Sequence, residues 1–270
     1  MPFSFLNAVP EVLKALEESG YVKPTPIQEA AIPKILEGGD LLASAQTGTG
    51  KTAAFLLPAL HKIKTARSAS SLGPKILILV PTRELAMQVA TQAQKYSKYL
   101  SRVTTVCLYG GAPYPVQNRQ LSRPYEILVA TPGRLIDHME RGRIDFSQVQ
   151  MFILDEADRM LDMGFMKPVE LIASKLPKEL QTLMFSATFE KATLKLANNL
   201  LKNPCQINLA STTKRHENID QALYFADNLQ HKLRLLDHLH YHTSSQQTIV
   251  FTATKFFAEE LGETLREKGF

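Results

Sequence analysis

The eight residues AQTGTGKT, Ala45–Thr52, constrain the fold more than any other stretch of the chain. They follow the apolar run LLAS and lead into KTAAFLLPALHKIK, so the local order is strand, glycine loop, helix. Gly48 and Gly50 let backbone N–H groups wrap an anion without Cβ clashes. The N-terminus of the helix adds partial positive charge. In a Walker A loop, here with Ala45 at the usual first glycine, Lys51 reaches the β and γ phosphates and the Thr52 hydroxyl goes to magnesium. Thr47 and Thr49 complete the loop. A plain glycine turn would explain the bend but not the GKT that closes it.

Short apolar runs alternate with amphipathic ones on either side of this loop. LLASA, KILILV, VTTVCLY, EILVA, MFILD and TLMFSA read as strands. Helices are expected over 10–19, 27–36, 51–64, 83–100 and 133–141, from apolar residues recurring at helical spacing. Continuous apolar strands separated by helices predict an α/β fold with a mainly parallel sheet covered on both faces. Sites in such sheets form beyond the carboxyl ends of the strands. The polar, basic stretch NLASTTKRHEN interrupts the rhythm and reads as a linker over 209–218. It separates a first domain, 1–208, from the start of a second, 219–270, with strands expected at QALYFA and TIVFTA and helices over 232–242 and 256–268.

Composition narrows the class of partner. The chain has 270 residues and a net charge of +5, with a pI near 9.1, which mildly favours a polyanion. No apolar run is long enough to span a bilayer, and the start MPFSFLNAVPEVL lacks the features of a signal peptide. The two cysteines form no CxxC pair, so no disulfide framework or thiolate metal site is expected. A reducing, cytoplasmic setting follows as the expectation. The seven histidines show no metal-ligand spacing. The closest approach to one, His238 and His242 at i, i+4, lacks acidic or thiol company.

The second chemical signal is DEAD, Asp155–Asp158, at the end of MFIL. Carboxylates at the end of a buried strand are costly unless their charge is used. Asp155 can hold magnesium, usually through a water. Glu156 is then placed to orient and deprotonate a water attacking the γ phosphate. Asp158 alone could be a favourable acidic residue at a helix N-terminus.

These two motifs together resemble the DEAD-box RNA helicases, and the rest of that family's signature follows in order. PTRELA occupies Pro81–Ala86, a glycine pair Gly110–Gly111, TPGR Thr131–Arg134 and SAT Ser186–Thr188, and IVFTAT (Ile249–Thr254) resembles the first motif of the family's second domain. The segments GPKILILVPTRELAMQ and LDEADRMLDMGF are similar to those of bacterial members linked to ribosomal RNA.

The resemblance implies a RecA-like P-loop domain that binds ATP and Mg2+. It also gives GYVKPTPIQ a meaning, as the family's Q motif: Gln28 would read adenine, Tyr21 would stack on the base, and Phe3 matches an upstream aromatic. An amide offers a donor and an acceptor together, which suits the N6–H and N7 of adenine. Thr82, Arg83, Gly111, Thr131 and Arg134 are the implied RNA contacts, through backbone amides, hydroxyls and guanidinium groups. Such contacts carry no direct sequence reading. Ser186 and Thr188 resemble residues linking nucleotide state to RNA grip, by hydrogen bonding to the acidic motif.

Segments resembling the family's HRIGRxxR and ARGxD do not occur in the 270 residues. An arginine supplied in cis is worth orders of magnitude in phosphoryl transfer. The chain therefore reads as a first domain plus the opening of a second, able to bind nucleotide but poor at hydrolysis. Three activities remain open on these residues: an ATP-dependent RNA helicase, an RNA clamp in which hydrolysis only times release, and a P-loop motor acting on DNA. Retained function in Glu156→Gln would favour the clamp, and equal stimulation by DNA and RNA would favour the DNA motor.

Overall fold

The computed structural model describes residues 9–46, 48–65, 73–209, 220–242 and 247–269. Contacts divide the chain into two units, Met1–Thr212 and Thr213–Phe270.

The first unit is built on seven strands: β1 (Leu41–Ser44), β2 (Ile76–Leu79), β3 (Thr105–Leu108), β4 (Ile127–Ala130), β5 (Met151–Leu154), β6 (Gln181–Ser186) and β7 (Cys205–Asn208). Every pairing is parallel, in the order β3-β4-β2-β5-β6-β1-β7. The expected α/β fold with helices on both faces is what the chain adopts.

The period of two along a strand explains why the strand sequences lack polar alternation. Ile76, Ile78, Ile127, Val129, Met151, Ile153, Leu183 and Phe185 point into one core. Their neighbours Leu77, Leu79, Leu128, Ala130, Phe152, Leu154 and Met184 point into the other. The first core is closed by α1 (Pro10–Glu18), α2 (Pro26–Glu37), α3 (Lys51–Thr65) and α4 (Arg83–Tyr96). The second is closed by α5 (Tyr114–Leu121), α6 (Pro132–Glu140), α7 (Ala157–Asp162), α8 (Met166–Ala173) and α9 (Lys191–Leu200). A charge placed on either side of a central strand would therefore be buried.

Helix ends follow local chemistry. α2 begins at Pro26, whose fixed φ and missing N–H suit the first helical position, and ends at Gly38 with φ +96°, the left-handed closure that glycine allows. The Thr82 hydroxyl caps α4 by accepting from Leu85 N at 3.3 Å.

One strand went unread and two expected strands need correction. β7 pairs with β1 at an edge of the sheet, where its residues alternate between half-buried and exposed. In the second unit, α10 (Leu229–His242) and α11 (Lys255–Glu267) form, but QALYFA and TIVFTA are not strands. No described segment of that unit offers them a ladder partner, and an unpaired strand leaves half its backbone groups without hydrogen bonds. Their apolar side chains are exposed instead: Phe225 is 84% and Phe251 91% exposed. The proposed linker 209–218 lies, apart from Leu209, outside the described residues. Among the described residues no helix is long and apolar enough to cross a membrane.

Candidate phosphate cleft and adjoining strand ends

The carboxyl ends of the strands split the predicted residues into two neighbouring groups. The loops after β1, β5 and β6 carry Ala45–Thr52, Asp155–Asp158 and Ser186–Thr188. The loops after β3, β4 and β2 carry Gly110–Gly111, Thr131–Arg134 and Thr82–Arg83. In the sheet order the first group lies on β5-β6-β1 and the second on β3-β4-β2, so they share one edge.

A cleft of about 490 Å³ opens over the glycine loop, lined there by Gly48, Gly50, Lys51 and Thr52 and opposite by Asp155 and Glu156. That volume lies within the ordinary range for small-molecule sites. Gly48 and Gly50 have φ of +82° and +93°, which a side chain would resist. The Thr49 hydroxyl donates to Gln46 O at 2.7 Å and closes the turn. Thr47 lies outside the described residues, as does Phe3.

Lys51 is the unusual group here. It is 6% exposed, and its Nζ has no hydrogen-bond partner among the described residues. Asp155 is 2% exposed. Burial pushes its pKa up to about 6, while the Lys51 charge pulls the other way. The Asp155 carboxylate accepts from Glu156 N at 3.0 Å. Glu156 itself holds φ +52°, a conformation rare for a residue with a Cβ and associated with functional sites. Its carboxylate meets Arg159 Nη1 at 3.3 Å.

Gln28 is placed differently from a residue exposed to a base. It is fully buried. Its Oε1 accepts from Thr25 N at 3.0 Å, and its Nε2 donates to Gly50 O at 3.1 Å. A Cβ on Gly50 would sit 2.4 Å from that Nε2. The amide therefore clamps the glycine loop, and Gly50 must be glycine both for its φ and for this approach. Each amide atom keeps one further hydrogen-bonding position. Tyr21 does line the cleft, and its hydroxyl lies 2.6 Å from that of Tyr96.

The acidic motif and SAT are joined directly. Asp158 Oδ2 accepts from Ala187 N at 3.0 Å, Thr188 N at 3.1 Å and the Thr188 hydroxyl at 3.4 Å. Ser186 is buried and donates to Thr188 O at 2.8 Å. Asp158 is thus the residue of the acidic motif through which the expected hydrogen bonding to SAT is made. What the sequence reading missed was the wall that α4 gives the cleft: Leu85, Gln88, Gln92 and Tyr96. Their spacing of three or four residues was the signal available in the sequence.

In the second group, Arg83 is exposed and pairs with Glu84, at 2.6 Å. Gly111 has φ +90°, and a Cβ there would come within 3.7 Å of Arg83 Nη1. Thr131 starts α6 without a side-chain cap. Arg134, by contrast, has a side chain only 10% exposed, and its Nη1 donates to Ala112 O at 3.0 Å. The structure thus gathers all five residues at adjacent strand ends, with Arg134 turned inward.

A family model described as DEAD/DEAH box helicase matches residues 25–196. The chain is 43% identical over 270 residues to a Buchnera aphidicola protein named ATP-dependent RNA helicase DeaD, covering 99% of this chain and 44% of that protein. A Mycobacterium tuberculosis protein of the same name is 43% identical over 269 residues, covering 99% of this chain and 46% of its own. A Helicobacter pylori protein named DEAD-box ATP-dependent RNA helicase RhpA is 40% identical over 271 residues, with 99% and 53% covered. The chain thus spans about half the length of these curated relatives or less.

Proposed function

The chain belongs to the DEAD/DEAH box helicase family, and on that premise we propose that it carries the ATP-binding and RNA-gripping face of an RNA-dependent ATPase that locally unwinds RNA duplexes. The observation that carries this reading is the Lys51 ammonium, buried and without a hydrogen-bond partner beside Asp155 and Glu156. Asp155 offsets part of that charge, but a buried ammonium with its donors unused is costly, and a nucleotide phosphate supplies acceptors for them.

The residues present fit ATP with magnesium. The glycine loop offers backbone N–H groups and Lys51 to the β and γ phosphates. Among the described residues no three acids, histidines or cysteines form a metal cluster, and Mg2+ characteristically takes one or two protein groups, substrate phosphates and waters. Thr52 and Asp155 are those groups. Magnesium bound there would neutralise charge on the phosphates. Glu156 orients the attacking water and takes its proton, once freed from Arg159. Asp158 then carries any shift of the acidic turn to Thr188.

Backbone phosphates of one RNA strand run past Arg83, Gly111, Thr82 and Thr131, with Arg134 holding the loop beneath them. These groups grip phosphate and sugar, so binding is independent of sequence and sensitive to salt. Ribosomal RNA fragments are the first natural substrates to try, given the resemblance of residues 73–88 and 154–165 to bacterial members. Residues 219–270 are proposed as the start of a second RecA-like domain, joined by the linker at 209–218.

The test is phosphate release from ATP by the 270-residue chain, with and without single-stranded RNA, alongside RNA binding across a salt series. Release is expected to stay near background, because no arginine-finger segment occurs in these residues. Affinity should fall linearly with log salt and be the same for unrelated oligonucleotides. Strong stimulation by RNA would overturn the account of the missing arginine. Sequence-dependent binding would overturn the backbone reading.

A further inference from the structure

One buried amide ties together two of the strand-end loops without belonging to any motif. Gln117, on α5, is 1% exposed. Its Nε2 donates to Tyr109 O at 3.1 Å. Its Oε1 accepts from Arg134 Nη1 at 3.1 Å and lies 2.9 Å from His138 Nε2. The orientation of the amide is forced, since the carbonyl can only accept and the guanidinium can only donate. His138 must then carry its proton on Nε2.

His138 supports that assignment. It is fully buried, and its Nδ1 has no hydrogen-bond partner. Burial, and then the Arg134 charge, hold its pKa below the ordinary histidine value. A neutral ring with Nε2–H and a bare Nδ1 satisfies both observations. The fold accepts an orphaned lone pair to keep the donor on Gln117.

The consequence falls on Gly110–Gly111. The carbonyl before the pair, Tyr109 O, is held by Gln117, and the carbonyl after it, Ala112 O, by Arg134. Gln117 and Arg134 bond to each other, so the glycine turn is bracketed from both sides by one connected group. Arg134 is also stacked over the Tyr114 ring, 4.2 Å from its centroid. Glycines sample many conformations, so a loop of two needs such a frame to present its amides in one arrangement.

We infer that Gln117, oriented by His138, is a positioning residue for RNA: it fixes the Gly110–Gly111 backbone and the TPGR arginine in one geometry. The inference rests on the RNA reading above. Neither side chain touches RNA; both act through the loop and through Arg134.

The test uses the 270-residue chain with Gln117→Leu, His138→Leu and His138→Gln. Single-stranded oligonucleotide affinity at low salt, ADP affinity, melting temperature and amide hydrogen exchange at Gly110–Ala112 are measured for each. Gln117→Leu is expected to weaken RNA binding about tenfold or more, to leave ADP affinity within about twofold, and to speed exchange at the glycine turn. His138→Leu should act in the same direction, and His138→Gln, which retains a donor, should restore most of the RNA affinity. If folded Gln117→Leu binds RNA as the parent does, or if RNA and ADP affinities fall together, the inference is overturned. If the parent itself binds no RNA at low salt, the RNA reading fails, and this inference with it. Exchange in Gln117→Leu then separately reports whether the bracket exists.

Discussion

Lys51→Met is expected to lower ADP affinity by about 100-fold or more, because charge-assisted hydrogen bonds to phosphate are worth about 1.5–3 kcal/mol each and this ammonium can make several. Calorimetric titration of parent and variant measures it directly. Methionine keeps most of the volume of the stem, so packing at the start of α3 is preserved. The variant also leaves the buried Asp155 carboxylate without the opposing Lys51 charge, so its melting temperature should not exceed that of the parent at pH 7.5, and the rise that saturating ADP gives the parent should vanish. A variant that still binds ADP as the parent does would place the anion somewhere else.

Asp155→Asn is the second large effect, and its sign depends on pH. Burial raises the Asp155 pKa from the usual carboxylate range to about 6. The folded state then holds this proton more tightly than the unfolded state does. Below pH 4 both forms are protonated and the group is neutral in the balance. As pH climbs through 6, the ionised carboxylate destabilises the fold. The asparagine variant should therefore be more stable than the parent at pH 7.5 by on the order of 1–3 kcal/mol, a difference that already includes the attraction to Lys51. At pH 5 the advantage should shrink. The same variant should lose the extra stabilisation that magnesium adds to ADP. Thermal melts at the two pH values check it: an advantage that is absent at pH 7.5, or larger at pH 5, would contradict the assignment. The residue that would hold the metal is thus expected to weaken the unliganded fold, the usual cost of a functional carboxylate in a dry site.

Legibility in the sequence differed between backbone and side-chain contacts. The sheet was readable because its central strands are apolar on both faces, and LLAS, ILIL and MFIL can be little else. The phosphate loop was readable because glycine, lysine and threonine occur there in a fixed order for backbone reasons. Short helices were not: α5, α7 and α8 have six to eight residues, too few turns for a period to emerge. QALYFA and TIVFTA were apolar enough for strands, but a strand exists only with a neighbour to pair with.

Side-chain destinations were the hardest part. Gln28 was legible as an amide held still, but not as the clamp on Gly50, which depends on a close approach across 22 positions of sequence. Hydrogen bonding between SAT and the acidic motif was expected from the resemblance, but not that Asp158 would make all three bonds, across 29 and 30 positions. Gln117 has no motif around it at all. Arg134 was expected to face RNA, and its burial instead makes it part of the frame that shapes the neighbouring loop. In each case the residue type was informative and the partner was not, because the partner is set by which strands lie side by side.

The most direct test of the central claim is calorimetric titration of the 270-residue chain with ADP and with GDP, each with magnesium. A single site for ADP is expected, with at least about tenfold weaker binding of GDP if base binding uncovers the buried Gln28 amide, whose one remaining donor and one remaining acceptor position suit N7 and N6–H of adenine. Equal affinity for the two nucleotides would remove Gln28 from base recognition and leave it as a clamp alone. No binding of either, with the chain folded, would contradict the phosphate cleft itself.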